Sequence, residues 1–79
     1  MTKEEFRKSI YEAMKNKPDN WRKGQFVFNY IDSEYNGISR VLQFDYGIDC
    51  FFTNNDKEIE YFIDKSYDLI NNLDMDNEK

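Results

Sequence analysis

Histidine is absent from this chain of 79 residues. It is the side chain that most often acts as general base, activates a nucleophile or binds a metal near neutral pH. Its absence excludes Ser-His and Cys-His catalysis and histidine-ligated zinc. Cys50 is the single cysteine, which excludes an internal disulfide and a zinc site built from several cysteines. We therefore expect no catalytic residue, no metal and no cofactor.

Long apolar segments are also missing, because no uninterrupted apolar run exceeds three residues. A membrane-spanning helix needs about 20 such residues. The first residues, Met1 to Glu5, are charged where a signal peptide is apolar. A single cysteine suits a reducing compartment. We expect a cytoplasmic protein with no part in the membrane.

Aromatic residues are abundant, at 18% of the chain. Each large ring buries roughly 150–250 Å², which lets a short chain form a core. A chain of this size buries only about 60–65% of its unfolded surface, which leaves no room for a deep catalytic cavity. The sequence predicts one non-enzymatic domain over residues 1–73 and a disordered acidic tail over residues 74–79.

The charge is uneven along the chain, whose net charge is −5. Residues 1–24 carry seven basic and four acidic side chains, and the remainder carries four basic and twelve acidic ones. The overall balance opposes binding to a phosphate backbone. Two interpretations stay open: solvated faces that keep a small protein dissolved, or an acidic pole that meets a basic surface of a partner protein.

Local signals predict three helices. Thr2 and Glu5 form a capping box at the start of the first, which should end near Asn16 because Pro18 follows. Asp19 or Asn20 can cap the second, whose apolar stripe contains Gly24. An interior glycine costs about 1 kcal/mol relative to alanine, so we expect a close approach by another backbone or a ring there. The third helix carries a mainly apolar stripe, which consists of Ile59, Phe62, Ile63, Ser66, Leu69, Ile70 and Leu73.

Two segments between the second and third predicted helices are rich in β-branched and aromatic residues. The segments 38–44 and 48–52 are separated by Asp45-Tyr46-Gly47, which suits a short hairpin loop with Gly47 at positive φ. Asn36-Gly37 suits a left-handed end to the preceding helix. The predicted fold class is α+β in the order α-α-β-β-α, with a two-stranded antiparallel hairpin packed on three helices.

Polar residues form a second stripe on the second predicted helix. Arg22, Gln25 and Asn29 recur at steps of three and four residues, and Arg22 could pair with Asp49 or Asp56. These five residues predict a structural hydrogen-bond network. The alternative is a recognition surface centred on Arg22 and Gln25 and flanked by Trp21, because tryptophan and arginine are frequent interface hot spots.

Further candidate interaction residues are Tyr46 at the predicted hairpin tip and the acids Glu58, Glu60 and Asp64. Tyr11, Tyr30 and Tyr61 fall outside the main apolar stripes, and a contiguous patch of such rings would mark a binding face.

One stretch resembles a group of small bacterial and phage proteins with the pattern R-x-G-Q-x-x-F-N, then D-x-F, then an acidic residue that opens the last helix. Here the matching positions are Arg22, Gly24, Gln25, Phe28, Asn29, Asp49, Phe51 and Asp56. The group has no established activity. The resemblance implies a phage or mobile-element origin and a bacterial host cell.

These observations predict a small acidic protein-interaction module that binds a host or viral protein as a monomer or homodimer. Three alternatives stay open. The first is an inhibitor of host defence or transcription, anti-CRISPR-like, that mimics nucleic acid and occupies a basic surface. The second is a virion or assembly accessory protein that self-associates. The third, which the net charge disfavours, is a weak nucleic-acid binder that uses Lys3, Arg7, Lys8 and Lys15 of the first helix.

Overall fold

A computed structural model describes the backbone of residues 1–77 and the side chains of residues 1–71. It consists of four helices: α1 (Lys3–Met14), α2 (Lys23–Glu34), α3 (Ile38–Asp45) and α4 (Asp56–Asn77). The described residues contain no strand. The predicted α+β class with a hairpin is therefore wrong, and this part of the chain is all-α. The disordered tail was predicted to begin at residue 74, whereas α4 runs to Asn77. Side chains beyond residue 71 and all of residues 78–79 lie outside the described residues, so the tail stays a prediction.

The segment predicted as the first strand is helix α3. Ile38 and Leu42 are buried on one face together with Ser39, as helical spacing requires. The Ser39 hydroxyl donates to the Phe28 carbonyl at 2.7 Å, which satisfies its buried oxygen. A short apolar run is compatible with a helix or a strand, and here packing against α2 selects the helix.

The second predicted strand is part of an irregular connection. Gly47 has the positive φ that the sequence indicates, 69°, but it follows the end of α3 rather than turning a hairpin. The amides of Tyr46 and Ile48 both donate to the Leu42 carbonyl, at 3.2 and 3.0 Å, and close the helix there. Residues 46–55, which we name the α3–α4 loop, then run to the start of α4.

Several local predictions are confirmed. The Thr2 hydroxyl accepts from the Glu5 amide at 3.1 Å, and the Glu5 carboxylate accepts from the Thr2 amide at 2.9 Å. Asn36 and Gly37 are both left-handed, with φ of 54° and 83°. Helix α2, however, begins at Lys23 rather than beside Asn20. Residues 18–21 form a turn instead, in which the Trp21 amide donates to the Pro18 carbonyl at 3.0 Å.

The core lies between all four helices. Helices α2 and α4 each pack against every other helix, whereas α1 and α3 do not meet in the described part of the chain. The apolar stripe of α4 is buried as predicted through Leu69, and Leu73 lies outside the described side chains. The buried apolar residues are Phe6, Ile10, Val27, Phe28, Ile31, Ile38, Leu42, Cys50, Ile59, Phe62, Ile63 and Leu69.

Candidate functional site

The α3–α4 loop is fixed to the start of helix α2 by hydrogen bonds. The Gly24 amide donates to the Thr53 carbonyl at 3.0 Å, and the Lys23 amide donates to the Asn54 side chain at 2.8 Å. The Cys50 thiol donates to the Gly24 carbonyl at 3.4 Å. The first amides of a helix have no partner within the helix, so the loop satisfies groups that α2 leaves open.

Gly24 is what allows this contact. A Cβ atom at this position would lie 1.7 Å from the Cys50 carbonyl oxygen and 2.7 Å from that of Thr53. The close backbone approach expected from the sequence is thus confirmed, and its partner is the loop.

The loop is also held from within. The Asp49 carboxylate accepts from the Phe51 amide at 2.9 Å and from the Gln43 side-chain amide at 3.1 Å. The Thr53 amide donates to the Cys50 carbonyl at 3.2 Å. A loop with this many internal and external hydrogen bonds presents its surface side chains in a defined arrangement.

The helix that follows contributes to the same arrangement. The Asn55 side chain accepts from the amides of Lys57 and Glu58 at 2.9 and 3.1 Å and so caps α4. The Glu58 carboxylate accepts from the Thr53 hydroxyl. The end of the loop and the first turn of α4 therefore form one connected unit.

Phe52 is the most exposed large apolar side chain of this loop. It is 72% exposed, whereas its neighbour Phe51 is half-buried and packs edge-on against Phe28 with 5.5 Å between ring centroids. The rings of Phe51 and Phe52 are 4.9 Å apart. The Arg22 guanidinium carbon lies 5.9 Å from the centroid of the Phe52 ring, within the range of a cation–π contact. The exposed Phe52 ring thus lies between the half-buried ring of Phe51 and the guanidinium of Arg22.

Arg22 lies beside Phe52 at the start of α2, and two other predicted interaction residues, Trp21 and Gln25, adjoin Arg22. Arg22 is exposed, Trp21 and Gln25 are half-buried, and the Gln25 side chain accepts from the Arg22 amide at 3.3 Å. We name Trp21, Arg22, Gln25 and Phe52 the recognition face. The sequence indicated the first three and missed Phe52, which lies in the segment 48–52 that was predicted as a strand. The adjacent pair Phe51-Phe52 was a usable signal, because neighbouring side chains of an extended segment point to opposite sides.

The residues predicted as a polar network have separate partners. Asp56 pairs with Lys23 at 3.3 Å, and Asp49 binds Gln43 and the loop backbone. In the described part of the chain, Arg22 forms no ion pair, and the half-buried Asn29 makes no side-chain hydrogen bond. The structure therefore brings Arg22 and Gln25 together, with Asp49 and Asp56 tying down the neighbouring loop and helix start.

Two of the three acids predicted on the last helix pair with basic residues of the first. Asp64 pairs with Lys3, and Glu60 pairs with Arg7. Lys3 also lies 3.4 Å from Asp68. The hydrogen bond to Asp64 raises the pKa of Lys3, as expected for an ammonium beside a carboxylate. The two charge poles seen along the sequence are thus partly neutralised against each other where α1 packs on α4.

Tyr46 lies on a different part of the surface. Together with Tyr61 it lines an open groove of about 380 Å³ between the end of α3 and the middle of α4. The groove floor includes Leu42, Ile48 and Leu69. Tyr46 and Tyr61 are 59% and 54% exposed. The sequence indicated Tyr61 only as a ring outside the apolar stripes.

Cys50 does not have the properties of a nucleophile. It is buried, and burial together with the nearby Asp49 raises its pKa from 9.0 to about 12. The thiolate, which is the reactive form, is therefore negligible near neutral pH.

No group of three or more His, Cys, Asp or Glu side chains within the described residues could hold a metal ion. Over the same part of the chain, no helix combines the length and the apolar character needed to cross a membrane.

Comparison with known proteins does not extend these observations. No protein-family model, curated protein or solved structure matches the chain significantly.

Proposed function

We propose that this chain is a non-enzymatic protein-interaction module that binds a host or viral protein through the recognition face. A phage or mobile-element origin and action inside a bacterial host cell belong to the same proposal and rest on the sequence resemblance. The observation that carries it is the exposed Phe52 ring, held by Arg22 on a loop that is itself hydrogen-bonded to α2.

Interface energetics support this choice of residues. A few aromatic and arginine side chains usually dominate a protein interface, and a rigid presentation lowers the entropy lost on binding. Phe52 has an exposed ring, a charged neighbour in Arg22 and a tryptophan next to that arginine in the chain. Exposing an apolar ring to water is unfavourable. Covering the Phe52 ring with a partner surface therefore contributes favourable free energy of binding.

Inhibition of host defence or transcription by nucleic-acid mimicry has weaker support. Such mimicry needs carboxylates that are free to meet a basic surface. Two of the three acids predicted as interaction residues, Glu60 and Asp64, already pair with Arg7 and Lys3. The same pairs weaken the case for nucleic-acid binding by the first helix, where Lys15 is also paired, with Glu12 at 3.2 Å.

Self-association as an assembly accessory protein has one supporting observation, the groove lined by Tyr46 and Tyr61. In this second candidate function the groove is the dimer contact. Light scattering over a range of concentrations separates it from the first, because a chain that stays monomeric at all of them excludes the homodimer.

The experiment that tests the proposed function compares Phe52→Ser with Phe44→Ser. Phe44 on α3 is also strongly exposed, at 77%, and lies outside the recognition face, so it controls for loss of surface hydrophobicity. Tagged wild-type and variant chains are used to capture proteins from bacterial lysate, and each captured protein is quantified by mass spectrometry.

We expect wild type and Phe44→Ser to retain the same partner. Phe52→Ser should reduce its capture by about 30-fold, the effect of losing a hot spot of 2 kcal/mol. Circular dichroism should show all three chains folded, since both side chains are exposed. Equal capture by Phe52→Ser and wild type would exclude the recognition face.

A further inference from the structure

The three arginines of the chain differ in their surroundings. Arg7 pairs with Glu60, and the Arg40 side chain lies 3.1 Å from the Asp32 carboxylate. Arg22 forms neither an ion pair nor a guanidinium hydrogen bond with the groups that the structure describes. In an acidic chain of net charge −5, this guanidinium therefore keeps its N–H donors for a carboxylate from outside.

The acids that the sequence offers as partners of Arg22 are engaged elsewhere. Asp56 pairs with Lys23 at 3.3 Å, and Asp49 accepts from the Gln43 side chain at 3.1 Å. The first turn of α2 carries no acidic residue, so the positive end of the helix dipole adds to the charge of the guanidinium. The recognition face, which contains no carboxylate of its own, is therefore a positively charged site on an acidic protein.

Arg22 is also held in position. Its amide donates to the Gln25 side chain at 3.3 Å, its carbonyl accepts from the Phe26 amide at 3.1 Å, and its guanidinium carbon lies 5.9 Å from the centroid of the Phe52 ring. These contacts lower the entropy that the side chain loses on binding. A guanidinium can contact an aromatic ring and at the same time donate two parallel N–H bonds to a carboxylate.

We infer, on the basis of the proposed function, that the recognition face binds a side-chain carboxylate of the partner protein, an aspartate or glutamate with apolar residues beside it. The carboxylate pairs with Arg22, and an adjoining apolar side chain covers the exposed ring of Phe52. The partner's contact surface is then acidic. This is opposite in sign to the basic partner surface that the net charge of the chain favours.

The test uses the blocked tripeptide acetyl-Leu-Glu-Leu-amide as the probe, with the glutamine and lysine tripeptides for comparison. Backbone amide and arginine Nε–H signals of the ¹⁵N-labelled full chain are followed during titration at low ionic strength. We expect the Arg22 side-chain signal and the amides of residues 21–25 and of Phe52 to shift, with a dissociation constant on the order of 1–10 mM. The glutamine tripeptide should bind about fivefold more weakly, as for loss of one exposed ion pair. The lysine tripeptide should bind more weakly still, and added salt should weaken binding of the glutamate tripeptide.

Two variants and a control assign the parts of the site. Arg22→Gln should weaken binding of the glutamate tripeptide about fivefold and leave the glutamine tripeptide unaffected. Phe52→Ser should weaken both tripeptides by the same factor, because both lose the same apolar contact. Lys8→Gln also removes one positive charge, from an exposed residue outside the recognition face, and should leave binding unchanged. Circular dichroism should show all of these chains folded, since the three side chains are exposed.

Several results would overturn the inference: no shift at residues 21–25 and Phe52, equal binding of the glutamate and glutamine tripeptides, tighter binding of the lysine tripeptide, or equal weakening by Arg22→Gln and Lys8→Gln. Failure here is distinct from failure of the proposed function. If Phe52→Ser abolishes capture from lysate while the glutamate tripeptide does not bind, the recognition face stands and its preference for a carboxylate does not.

Discussion

Gly24 is the residue at which helix α2 and the α3–α4 loop come closest. Replacing it with alanine would drive a Cβ atom into the carbonyl of Cys50, and the loop backbone cannot move without breaking its bonds to α2. Glycine is needed at position 24 because there is no space for a side chain. Its conformational freedom is not required, because this residue lies within helix α2.

We expect Gly24→Ala to lower the free energy of unfolding by at least about 3 kcal/mol, through overpacking and lost hydrogen bonds. Gly47→Ala is the control: Gly47 has open space around it and a φ of 69°, so the cost should be about 1 kcal/mol of backbone strain. Urea unfolding followed by Trp21 fluorescence measures both. Similar losses in the two variants would contradict the close approach.

Cys50 gives the protein a dependence on pH in the alkaline range. Its pKa is raised from 9.0 to about 12 in the fold, so the unfolded chain releases the thiol proton first. The contribution of the neutral thiol to stability is therefore complete below about pH 9 and is lost as pH rises toward 12.

Between about pH 9 and 12, the stability of the wild type should fall relative to Cys50→Ala by about 1.4 kcal/mol per pH unit. Taking the difference between the two chains removes the ionisation of lysines and tyrosines that both share. Urea unfolding at a series of alkaline pH values provides the measurement. A difference that stays constant with pH would show that the thiol is not buried as described.

At the scale of elements, a helix and a strand over the α3 segment would bury different residues. In a strand, Leu42 and Phe44 would share the buried face; in α3, Leu42 is buried and Phe44 is 77% exposed. Each residue therefore reports on the secondary structure of this segment.

We expect Leu42→Ala to cost about 2–4 kcal/mol of unfolding free energy, and Phe44→Ala to change it by no more than about 0.5 kcal/mol. Thermal unfolding of the two variants, followed by circular dichroism at 222 nm, gives the comparison. Comparable large losses in both would favour the strand.

At the scale of the whole molecule, every helix supplies side chains to one core. Phe6 of α1 contacts Tyr35 and Tyr67, with ring centroids 5.3 and 5.6 Å away, and Phe28 of α2 contacts Phe62 of α4 at 5.8 Å. Because α2 and α4 each contact every other helix, loss of either one uncovers part of the buried faces of all the others.

The chain should therefore unfold in a single two-state transition. Trp21 lies in the turn between α1 and α2, so its fluorescence reports on one region, whereas ellipticity at 222 nm reports on all helices. We expect the two urea transitions to coincide within error. A fluorescence midpoint clearly below that of the ellipticity would show that this region unfolds independently.

The sequence by itself determined the features that depend on residues a few positions apart. The capping box of Thr2 and Glu5, the left-handed Asn36-Gly37 and most of the buried stripe of α4 could all be predicted, because a turn of helix or a cap contains all the groups involved. The crowding at Gly24 could also be predicted, because a glycine inside an apolar stripe is unfavourable without a packing reason.

Only the tertiary structure decided what depends on neighbours distant in the chain. The segment 38–45 could form either element locally, and burial of Ile38 and Leu42 with a carbonyl partner for Ser39 made it a helix. The exposure of Phe52 and the pairing of α4 acids with α1 bases followed from that arrangement. Burial and charge pairing act between elements, so a one-dimensional pattern cannot assign them until the packing of those elements is known.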